Sequence, residues 1–213
     1  MTRFFVGITG ASGHAYSDAL VRALVRAGHE VDLCVTPAGA KVLRHELGIE
    51  SGEGGRELAR ALPEWFGAQS ARSLRAFAPD AIEAPPSSGT ALTGAVIVCP
   101  CSMGTLARVR AGFSSNLVER AADVALKEGR KLVLVPRETP LSEIHLENLL
   151  ALARMGAVVL PAMPGFYHRP RTLEDLVAHV VGKILDRLGV EHAGARWKGT
   201  EEPPAERGTD PRG

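Results

Sequence analysis

The sequence has little net charge and no long hydrophobic run. Its 213 residues include 25 Lys or Arg and 24 Asp or Glu, which gives a formal net charge of +1. A chain so close to neutral lacks the basic surface that binds nucleic acid or an anionic membrane. No apolar stretch approaches the roughly 20 residues that a membrane-spanning helix needs. We therefore expect no nucleic-acid partner and no membrane partner.

Cysteine is also scarce. The three cysteines, Cys34, Cys99 and Cys101, are odd in number and lie in apolar, strand-like runs. This pattern favours reduced thiols in the cytosol over a disulfide framework. A lone Cys-x-Cys lacks the four ligands of a structural zinc site, so no metal is expected. No signal-peptide pattern precedes the first predicted strand, and we expect a cytoplasmic protein.

The length suits one α/β domain with a well-buried core. Short apolar runs alternate with amphipathic helical patterns, which is typical of a parallel sheet with crossover helices. The predicted strands are 4–8, 30–35, 95–99, 131–135 and 157–160. The predicted helices are 15–27, 37–47, 103–111, 117–127, 142–155 and 172–188. The sequence therefore predicts a doubly wound parallel sheet between two helical layers.

Two segments interrupt the alternation. Residues 51–93 are richer in Gly, Ser and Pro, and they contain Pro85-Pro86-Ser87-Ser88-Gly89-Thr90, which by composition is a loop. From Glu191 onward the chain is polar and rich in Pro and Gly, with nothing from which to build a core. We predict one domain over residues 1–190 and a flexible tail over 191–213.

A glycine-rich turn, Gly7-Ile8-Thr9-Gly10-Ala11-Ser12-Gly13, links the first strand to the first helix. Glycine permits a tight turn and lets backbone N–H groups approach a phosphate at the helix N-terminus. The glycines could also serve the backbone alone. Because the turn opens the first βα unit, a nucleotide or phosphate ligand is favoured, with its phosphate at this helix end.

The same spacing fits nicotinamide-dependent enzymes, but two features argue against NAD. The second strand ends in Cys34-Val35-Thr36, without the acidic residue that holds ribose hydroxyls. No Tyr-x-x-x-Lys pair occurs in the chain. Thr36 instead offers a small hydroxyl at the carboxyl edge of the sheet, either for a ligand or as a helix cap before Pro37.

A series of motifs after the third predicted strand carries a family resemblance. In chain order they are Cys99-Pro100-Cys101-Ser102-Met103-Gly104-Thr105, Asn116-Leu117, the run 119–128, the run 132–141 with Pro136-Arg137-Glu138-Thr139-Pro140, His145-Leu146-Glu147-Asn148, the run 156–161, and Pro164-Gly165-Phe166-Tyr167-His168-Arg169-Pro170. Together with the first glycine turn, this ordered set resembles the UbiX family of flavin prenyltransferases. The resemblance extends from about Phe4 to Val190.

The resemblance implies a flavodoxin-like (Rossmann-like) fold that holds reduced FMN between subunits of a homo-oligomer, typically a dodecamer. Such enzymes join a dimethylallyl group from dimethylallyl monophosphate, or in some members the diphosphate, to N5 and C6 of the flavin without a metal. The product, prenylated FMN, serves a UbiD-type decarboxylase.

The resemblance also assigns roles to residues. The implied FMN-binding residues are Gly10, Ala11, Ser12, Thr36, Ser102, Met103, Gly104, Thr105, Arg120 and Arg137. The implied catalytic residues are Glu138 as general acid, Ser12 as proton relay at flavin N5, and Glu46 near the prenyl site. The implied ligands of the prenyl phosphate are Lys127, Glu138, Tyr167 and Lys183.

Several of these residues could instead have a purely structural role. Arg137 and Glu138 could be an ion pair that caps the next helix, and Lys127 could be a solvated helix end. Glu46 could be a surface charge, and Arg120 part of an ion pair. His168-Arg169 competes with Lys183 as the basic group at the phosphate.

Three positions depart from the family pattern. Lys183 stands where arginine is more usual, which removes bidentate geometry toward phosphate. Ile82 stands where some relatives carry tryptophan, which would add cation–π stabilisation. His14 replaces a small residue.

Three alternative functions stay open. A flavin-dependent cysteine decarboxylase needs an early catalytic histidine, which His14 could supply, and a Pro-x-Met-Asn signature, which Pro161-Ala162-Met163-Pro164 lacks. A non-catalytic flavin carrier would bind FMN without turnover. A dehydrogenase would bind NAD and no flavin.

Overall fold

The computed structural model describes residues 1–91 and 93–192. Six parallel strands form one sheet in the order β3-β2-β1-β4-β5-β6. The strands are β1 (Arg3–Ile8), β2 (Glu30–Val35), β3 (Leu74–Phe77), β4 (Thr93–Cys101), β5 (Leu132–Pro136) and β6 (Val158–Val159). The helices are α1 (His14–Arg26), α2 (Pro37–Leu47), α3 (Leu58–Phe66), α4 (Ala68–Ala71), α5 (Met103–Arg110), α6 (Leu117–Lys127), α7 (Glu143–Arg154) and α8 (Leu173–Leu188), with short 3-10 turns at Glu53–Gly55 and Pro85–Ser87.

Helices cover both faces of the sheet because strand side chains alternate between them. Phe4, Val6 and Ile8 of β1 pack in a cluster with residues of α1, α3 and α8. Phe5, between them, packs in the opposite cluster with residues of α5, α6 and α7. Successive side chains of a strand point to opposite faces, so a strand buried on both sides is apolar throughout. The predicted doubly wound, three-layer architecture is confirmed.

The segment 51–93, for which no helix or strand was predicted, contains α3, α4 and β3, whereas residues 85–90 hold only the 3-10 turn Pro85–Ser87. Leu58, Ala61, Leu62, Trp65 and Phe66 of α3 are buried, at the spacing of a helix with one apolar face. The signal for α3 was therefore present. β3 is a four-residue edge strand with only Leu74 buried, too short for a clear alternation.

The predicted boundary near residue 190 lies just after α8, where Gly189 adopts a left-handed conformation as the helix cap. Residues 193–213, nearly all of the predicted tail, lie outside the described residues. Within the described ranges, no helix is long and apolar enough to cross a membrane. Cys34, Cys99 and Cys101 are buried and unpaired. Burial raises the pKa of Cys34 and of Cys101 to about 12, and also raises that of Cys99.

The strand order reverses between β1 and β4. In open parallel sheets, ligands bind in the crevice that such a reversal creates beyond the carboxyl ends of the strands. The segments that follow β1, β2, β4 and β5 meet there. They are therefore the place to look for a site.

Candidate active site

Thr9 joins the two segments that border the crevice. It follows β1 directly, is fully buried, and its hydroxyl donates to the carbonyl oxygen of Pro100 at 2.8 Å. The backbone N–H of Ser102 donates back to Thr9 Oγ1 at 2.8 Å. A buried hydroxyl with both a donor and an acceptor partner fixes its neighbours in one arrangement. Thr9 therefore sets the spacing between the loop after β1 and the start of α5.

Glu46 closes the N-terminus of α1. Gly13 adopts a left-handed conformation (φ 108°) before the helix. Its N–H and that of His14 donate to the Glu46 carboxylate at 3.0 and 2.9 Å. Burial raises the pKa of Glu46, but hydrogen bonds from the Ser12 hydroxyl and these two N–H groups outweigh it. The net pKa lies below the ordinary 4.5.

This arrangement revises the expected phosphate position. The N–H groups of Gly13 and His14, where an anion would bind, already donate to an ionised carboxylate. A phosphate there would face like charge. The interpretation of Glu46 as an ordinary surface charge does not describe this contact, since the side chain caps α1 from α2.

Gly10 is required for close packing. A Cβ added at Gly10 would lie 2.7 Å from the Cβ of Ala38 at the start of α2. Such a distance is shorter than any real contact between carbon atoms, so a side chain here would push α2 away from the crevice. Thr36 caps α2 by accepting the N–H of Gly39 at 3.1 Å. The capping interpretation of Thr36 is therefore correct, and its flavin contact stays a prediction.

The segment after β4 presents the N-terminus of α5. Ser102 caps the helix by accepting the N–H of Thr105 at 3.3 Å, and its hydroxyl lies 3.1 Å from Thr105 Oγ1. Gly104 is exposed, whereas Met103 and Thr105 are buried. The exposed surface of this helix start is thus mostly backbone at Gly104. A flat ring can approach it closely.

Arg137 and Glu138 follow β5 at the same edge. Arg137 Nε donates to the carbonyl oxygen of Ser12 at 3.1 Å, which ties the end of β5 to the loop after β1. Glu138 Oε1 accepts the N–H of Thr139 at 3.0 Å. The next helix, α7, is capped instead by Ser142. The interpretation of the pair as a helix cap is therefore not supported.

A pocket opens beside these two residues. It is lined by Pro136, Arg137, Glu138, Thr139, Leu141, Leu149, Pro161, Ala162 and Met163. Most of these residues are apolar, and Arg137 and Glu138 are the charged ones. The pocket combines an apolar seat with one cation and one carboxylate.

A second groove of about 380 Å³ runs between β6 and α8 and meets this pocket at Pro161 and Met163. Lys183 lies in it with His179, one helical turn earlier. Tyr167 approaches from the segment before α8, and its hydroxyl is 3.3 Å from His179 Nε2. The structure therefore brings Tyr167 and Lys183 into one region, as predicted for ligands of a single phosphate.

Arg120 and Lys127 lie elsewhere. Both are on the outward stripe of α6, whose opposite face is buried against the sheet. Arg120 pairs with Asp123 at 3.2 Å, and Lys127 pairs with Glu128. Lys127 ends α6 beside Gly89, before β4 begins, so it lies at the amino edge of the sheet. Ten residues of helix, about 15 Å, separate it from the start of α6.

His14 does not face the crevice. It is fully buried, and its Nε2 donates to the carbonyl oxygen of Thr9 at 3.0 Å. Burial lowers the pKa of His14 below 6.5, so the ring is neutral at pH 7. Its Nδ1 is buried without a hydrogen-bond partner among the described residues. A histidine held in this way cannot act on a substrate, which argues against the cysteine-decarboxylase alternative.

Two residues beside the candidate site, Thr9 and His179, were not predicted from the sequence. Thr9 was inside the glycine turn that drew attention, but its buried link to Pro100 joins residues 91 positions apart. His179 lies four residues before Lys183, a spacing that puts both on one face of a helix.

Ile82 follows β3, and half of its side chain is exposed. In the described part of the chain, no group of His, Cys, Asp or Glu is arranged to hold a metal ion.

The donors at the carboxyl edge suit a flavin mononucleotide. Helices α2 and α5 point their N-termini toward the crevice, hydroxyls of Ser12 and Ser102 border it, and Arg137 supplies a cation. Phosphate is bound by such helix ends and cations, and an isoalloxazine ring packs on exposed backbone. A doubly wound parallel sheet with such donors at its carboxyl edge is typical of a flavoprotein. The sequence profile of the Flavoprotein family matches residues 1–185.

Similar proteins show which family of flavoproteins the chain belongs to. The chain is 48% identical over 189 residues to flavin prenyltransferase UbiX of Halalkalibacterium halodurans, covering 89% of each protein. It is 47% identical to flavin prenyltransferase UbiX of Pseudomonas aeruginosa, covering 88% of this chain and 90% of that protein. The chain belongs to the UbiX family of flavin prenyltransferases.

Two solved structures have the same fold as this chain. The crystal structure of a dodecameric FMN-dependent UbiX-like decarboxylase from Escherichia coli O157:H7 superposes with a TM-score of 0.79 at 42% identity, covering 93% of this chain and all of that one. AnUbiX (PadA1), solved in complex with FMN and dimethylallyl pyrophosphate, gives a TM-score of 0.80 at 36% identity, covering 94% and 99% of the two chains. The flavodoxin-like fold predicted from the resemblance is confirmed.

Proposed function

We propose that this protein transfers a dimethylallyl group from dimethylallyl monophosphate to N5 and C6 of reduced FMN, and so makes prenylated FMN. One observation carries the assignment of roles. The bond from Arg137 Nε to the Ser12 carbonyl places the end of β5 beside the loop that holds the Ser12–Glu46 pair. Glu46 and Glu138 therefore border the same crevice. Glu46 is held by hydrogen bonds, whereas Glu138 lines a mostly apolar pocket.

Glu46 is the base of this pair. It accepts hydrogen bonds from the Ser12 hydroxyl and from two backbone N–H groups, and its pKa is lowered, so it is ionised at pH 7. A hydroxyl bonded to an ionised carboxylate can accept a proton on one side while it passes its own to the other. Ser12 and Glu46 then form a relay that removes the proton from flavin N5.

Glu138 is the acid. It lines a mostly apolar pocket that Arg137 also lines. A carboxylate close to a bound phosphate is stabilised when it is protonated, and a proton placed there can pass to the departing phosphate. Reduced FMN supplies the electron-rich N5 and C6. The protein orients the reactants, excludes water and moves protons.

Tyr167 and Lys183 hold the prenyl phosphate from the α8 groove. A lysine supplies charge and a phenol supplies a directed hydrogen bond, and the groove between them meets the Glu138 pocket at Met163. The flavin phosphate lies among the ends of α2 and α5, near Thr36, Ser102 and Thr105, because Glu46 already holds the N–H groups of α1.

Lys127 and Arg120 act in a neighbouring copy. Both project from the outward face of α6, and Lys127 lies at the amino edge of the sheet, whereas Glu138 lies at the carboxyl edge. One chain therefore cannot bring Lys127 to its own Glu138. A homo-oligomer in which α6 of one copy faces the crevice of another completes the phosphate site. Because a relative at 42% identity is described as dodecameric, we expect a dodecamer.

We further propose that a UbiD-type decarboxylase receives the product and that both proteins work in the cytoplasm. The family membership supports the first part. The low net charge and the reduced cysteines support the second.

The test is to mix the purified protein anaerobically with reduced FMN and dimethylallyl monophosphate, and to measure the mass of the extracted flavin. We expect a flavin heavier by one five-carbon unit. Glu138→Gln should bind FMN but slow product formation by about 100-fold or more. Glu64→Gln, at an exposed position of α3 outside the family motifs, is the matched control and should be unaffected.

Bound but unmodified FMN with both the monophosphate and the diphosphate would contradict the transferase and favour a flavin carrier. Full activity of Glu138→Gln would remove Glu138 from the role of acid while the transferase itself stands.

A further inference from the structure

The side chain of His179 faces Tyr167 and takes no part in the chemistry described above. We propose that His179 is a positioning residue: its neutral form holds Tyr167 and the segment 164–168 in the geometry that binds the prenyl phosphate. This inference rests on the proposed role of Tyr167 as a ligand of that phosphate. It adds a pH dependence to substrate binding that the fold alone does not predict.

The hydrogen bonds assign the tautomer of His179. The backbone N–H of Gly165 donates to His179 Nδ1 at 3.1 Å, so Nδ1 carries no proton. The single ring proton of the neutral imidazole is then on Nε2, which lies 3.3 Å from Tyr167 Oη. His179 therefore donates to Tyr167, and the hydroxyl hydrogen of Tyr167 points away from the histidine.

Ring packing fixes the same three side chains. The His168 and His179 rings stack in parallel, with centroids 5.0 Å apart and an interplanar angle of 5°. Tyr167 meets both edge-on, at 5.5 and 5.4 Å. His179 stands on α8, a 16-residue helix, whereas Tyr167 and His168 belong to an irregular segment. The helix thus supplies the rigid support for a segment that has little regular structure of its own.

The groups that face His179 favour its neutral form. Tyr167 and His168 approach from the segment before α8, and Lys183 and Arg187 lie on the same helix along the groove. Asp175, one turn earlier on α8, accepts the N–H groups of Arg171 and Thr172 at the helix start. Burial first, and then the charges of His168 and Lys183, lower the pKa of His179 below its ordinary 6.5.

Protonation would break the arrangement. A doubly protonated ring has donors at both nitrogens, so the Gly165 N–H would lose its acceptor and face another N–H. The segment 164–168 would then be released from α8 and Tyr167 would lose its orientation. Because the folded pKa is depressed, the native contact is present above pH 6.5 and is lost as the pH falls through the folded pKa.

The expected signature is a split between substrate affinity and turnover. As the pH falls from 7.5 to about 5.5, KM for dimethylallyl monophosphate should rise, by less than about tenfold because the folded pKa of His179 lies below 6.5, while the affinity for FMN changes little. The second ionisation of a phosphate monoester also falls near pH 6. The same profile must therefore be measured in variants, in which the ionisation of the substrate is unchanged.

Three variants separate the two hydrogen bonds. His179→Asn can accept from Gly165 but does not reach Tyr167, and His179→Gln can donate to Tyr167 but leaves Gly165 without its acceptor. His179→Phe keeps the stack on His168 and loses both bonds. At pH 7.5 each should raise KM for dimethylallyl monophosphate, with His179→Phe the largest. All three should show a KM that depends on pH only through the substrate.

Two outcomes would overturn the proposal. One is a wild-type profile of KM that superposes on that of His179→Phe. The other is a KM that falls on acidification in the wild type alone, which would make His179 a cationic ligand. After either outcome, Tyr167→Phe shows which of the two proposals has failed. If this variant raises KM in the same assay, the phosphate site stands and only the role of His179 fails. If Tyr167→Phe has no effect on KM, the proposed phosphate site itself fails.

Discussion

The crevice at β1 and β4 and the groove along α8 are built differently. In the crevice, buried Thr9 joins two strand ends, Glu46 caps α1 from α2, and Arg137 bonds to the Ser12 carbonyl. Met163, which lines the groove, is 65% exposed, and Phe166 and Leu173, in the segment before α8 and at its start, are 69% and 74% exposed. Exposed large apolar side chains are typical of surfaces that contact another protein, which agrees with the proposed oligomer.

The difference suggests a division of labour. The contacts that hold the crevice together are internal to one chain: the bond from Thr9 to Pro100 is buried, those to Glu46 are partly buried, and that from Arg137 to Ser12 is exposed. We therefore expect one chain to organise most of the flavin side, with Arg120 contributed by a neighbour. On the proposed prenyl-phosphate side, Tyr167 and Lys183 lie in one region of the chain, whereas Lys127 projects from the far edge of the sheet. A site with one half internal and one half contributed by a neighbour would assemble only when the oligomer does.

The sharpest test of this division is complementation between subunits. Lys127→Ala and Glu138→Gln should each lose about 100-fold or more in product formation, since one removes a phosphate cation and the other an acid. Mixed oligomers of the two variants, made by co-expression, should regain part of the activity because some sites receive both wild-type residues. Product is measured as prenylated flavin.

Lys41→Ala, at an exposed position of α2, is the control and should keep full activity. If mixed oligomers are no more active than the two variants alone, both residues act within one chain and the division is wrong.

The internal half of the comparison is tested by Thr9→Val, which keeps the shape and removes the hydroxyl. The Ser102 N–H then loses its buried acceptor, which should lower the free energy of unfolding by about 1–3 kcal/mol. FMN affinity should fall as well, because the start of α5 is no longer fixed. Urea unfolding and flavin titration measure the two effects.

Thr90→Val, at an exposed position, serves as the control. A Thr9→Val protein with unchanged stability and flavin affinity would show that the crevice does not depend on this link.

The smallest effect is expected in the groove. Lys183→Arg replaces a point charge by a planar fork that can bond a phosphate twice, so KM for dimethylallyl monophosphate should fall by about threefold. FMN affinity should not change. An increase in KM would show that the groove is shaped for the ammonium group, and steady-state kinetics at pH 7.5 decide between the two results.

Much of the fold was predictable because strands and helices carry local signals. The run Phe4–Ile8 is apolar throughout, as a strand buried on both faces requires, and α1 and α8 show clear helical stripes. β3 was missed because four residues with one buried side chain give no period to detect. For the candidate site, the motifs predicted Ser12, Ser102, Arg137 and Glu138, each of which lies within four residues of the end of a predicted strand.

The sequence by itself determined the layered α/β architecture, the crevice at the strand ends and the identity of the groups that border it. Only the tertiary structure decided that Glu46 caps α1, that His14 is buried away from the crevice, and that Lys127 lies at the opposite edge from Glu138. The physical reason is the distance along the chain over which each kind of interaction acts. Hydrophobic period and turn chemistry act between near neighbours, whereas these three outcomes depend on which distant segments the sheet order brings together.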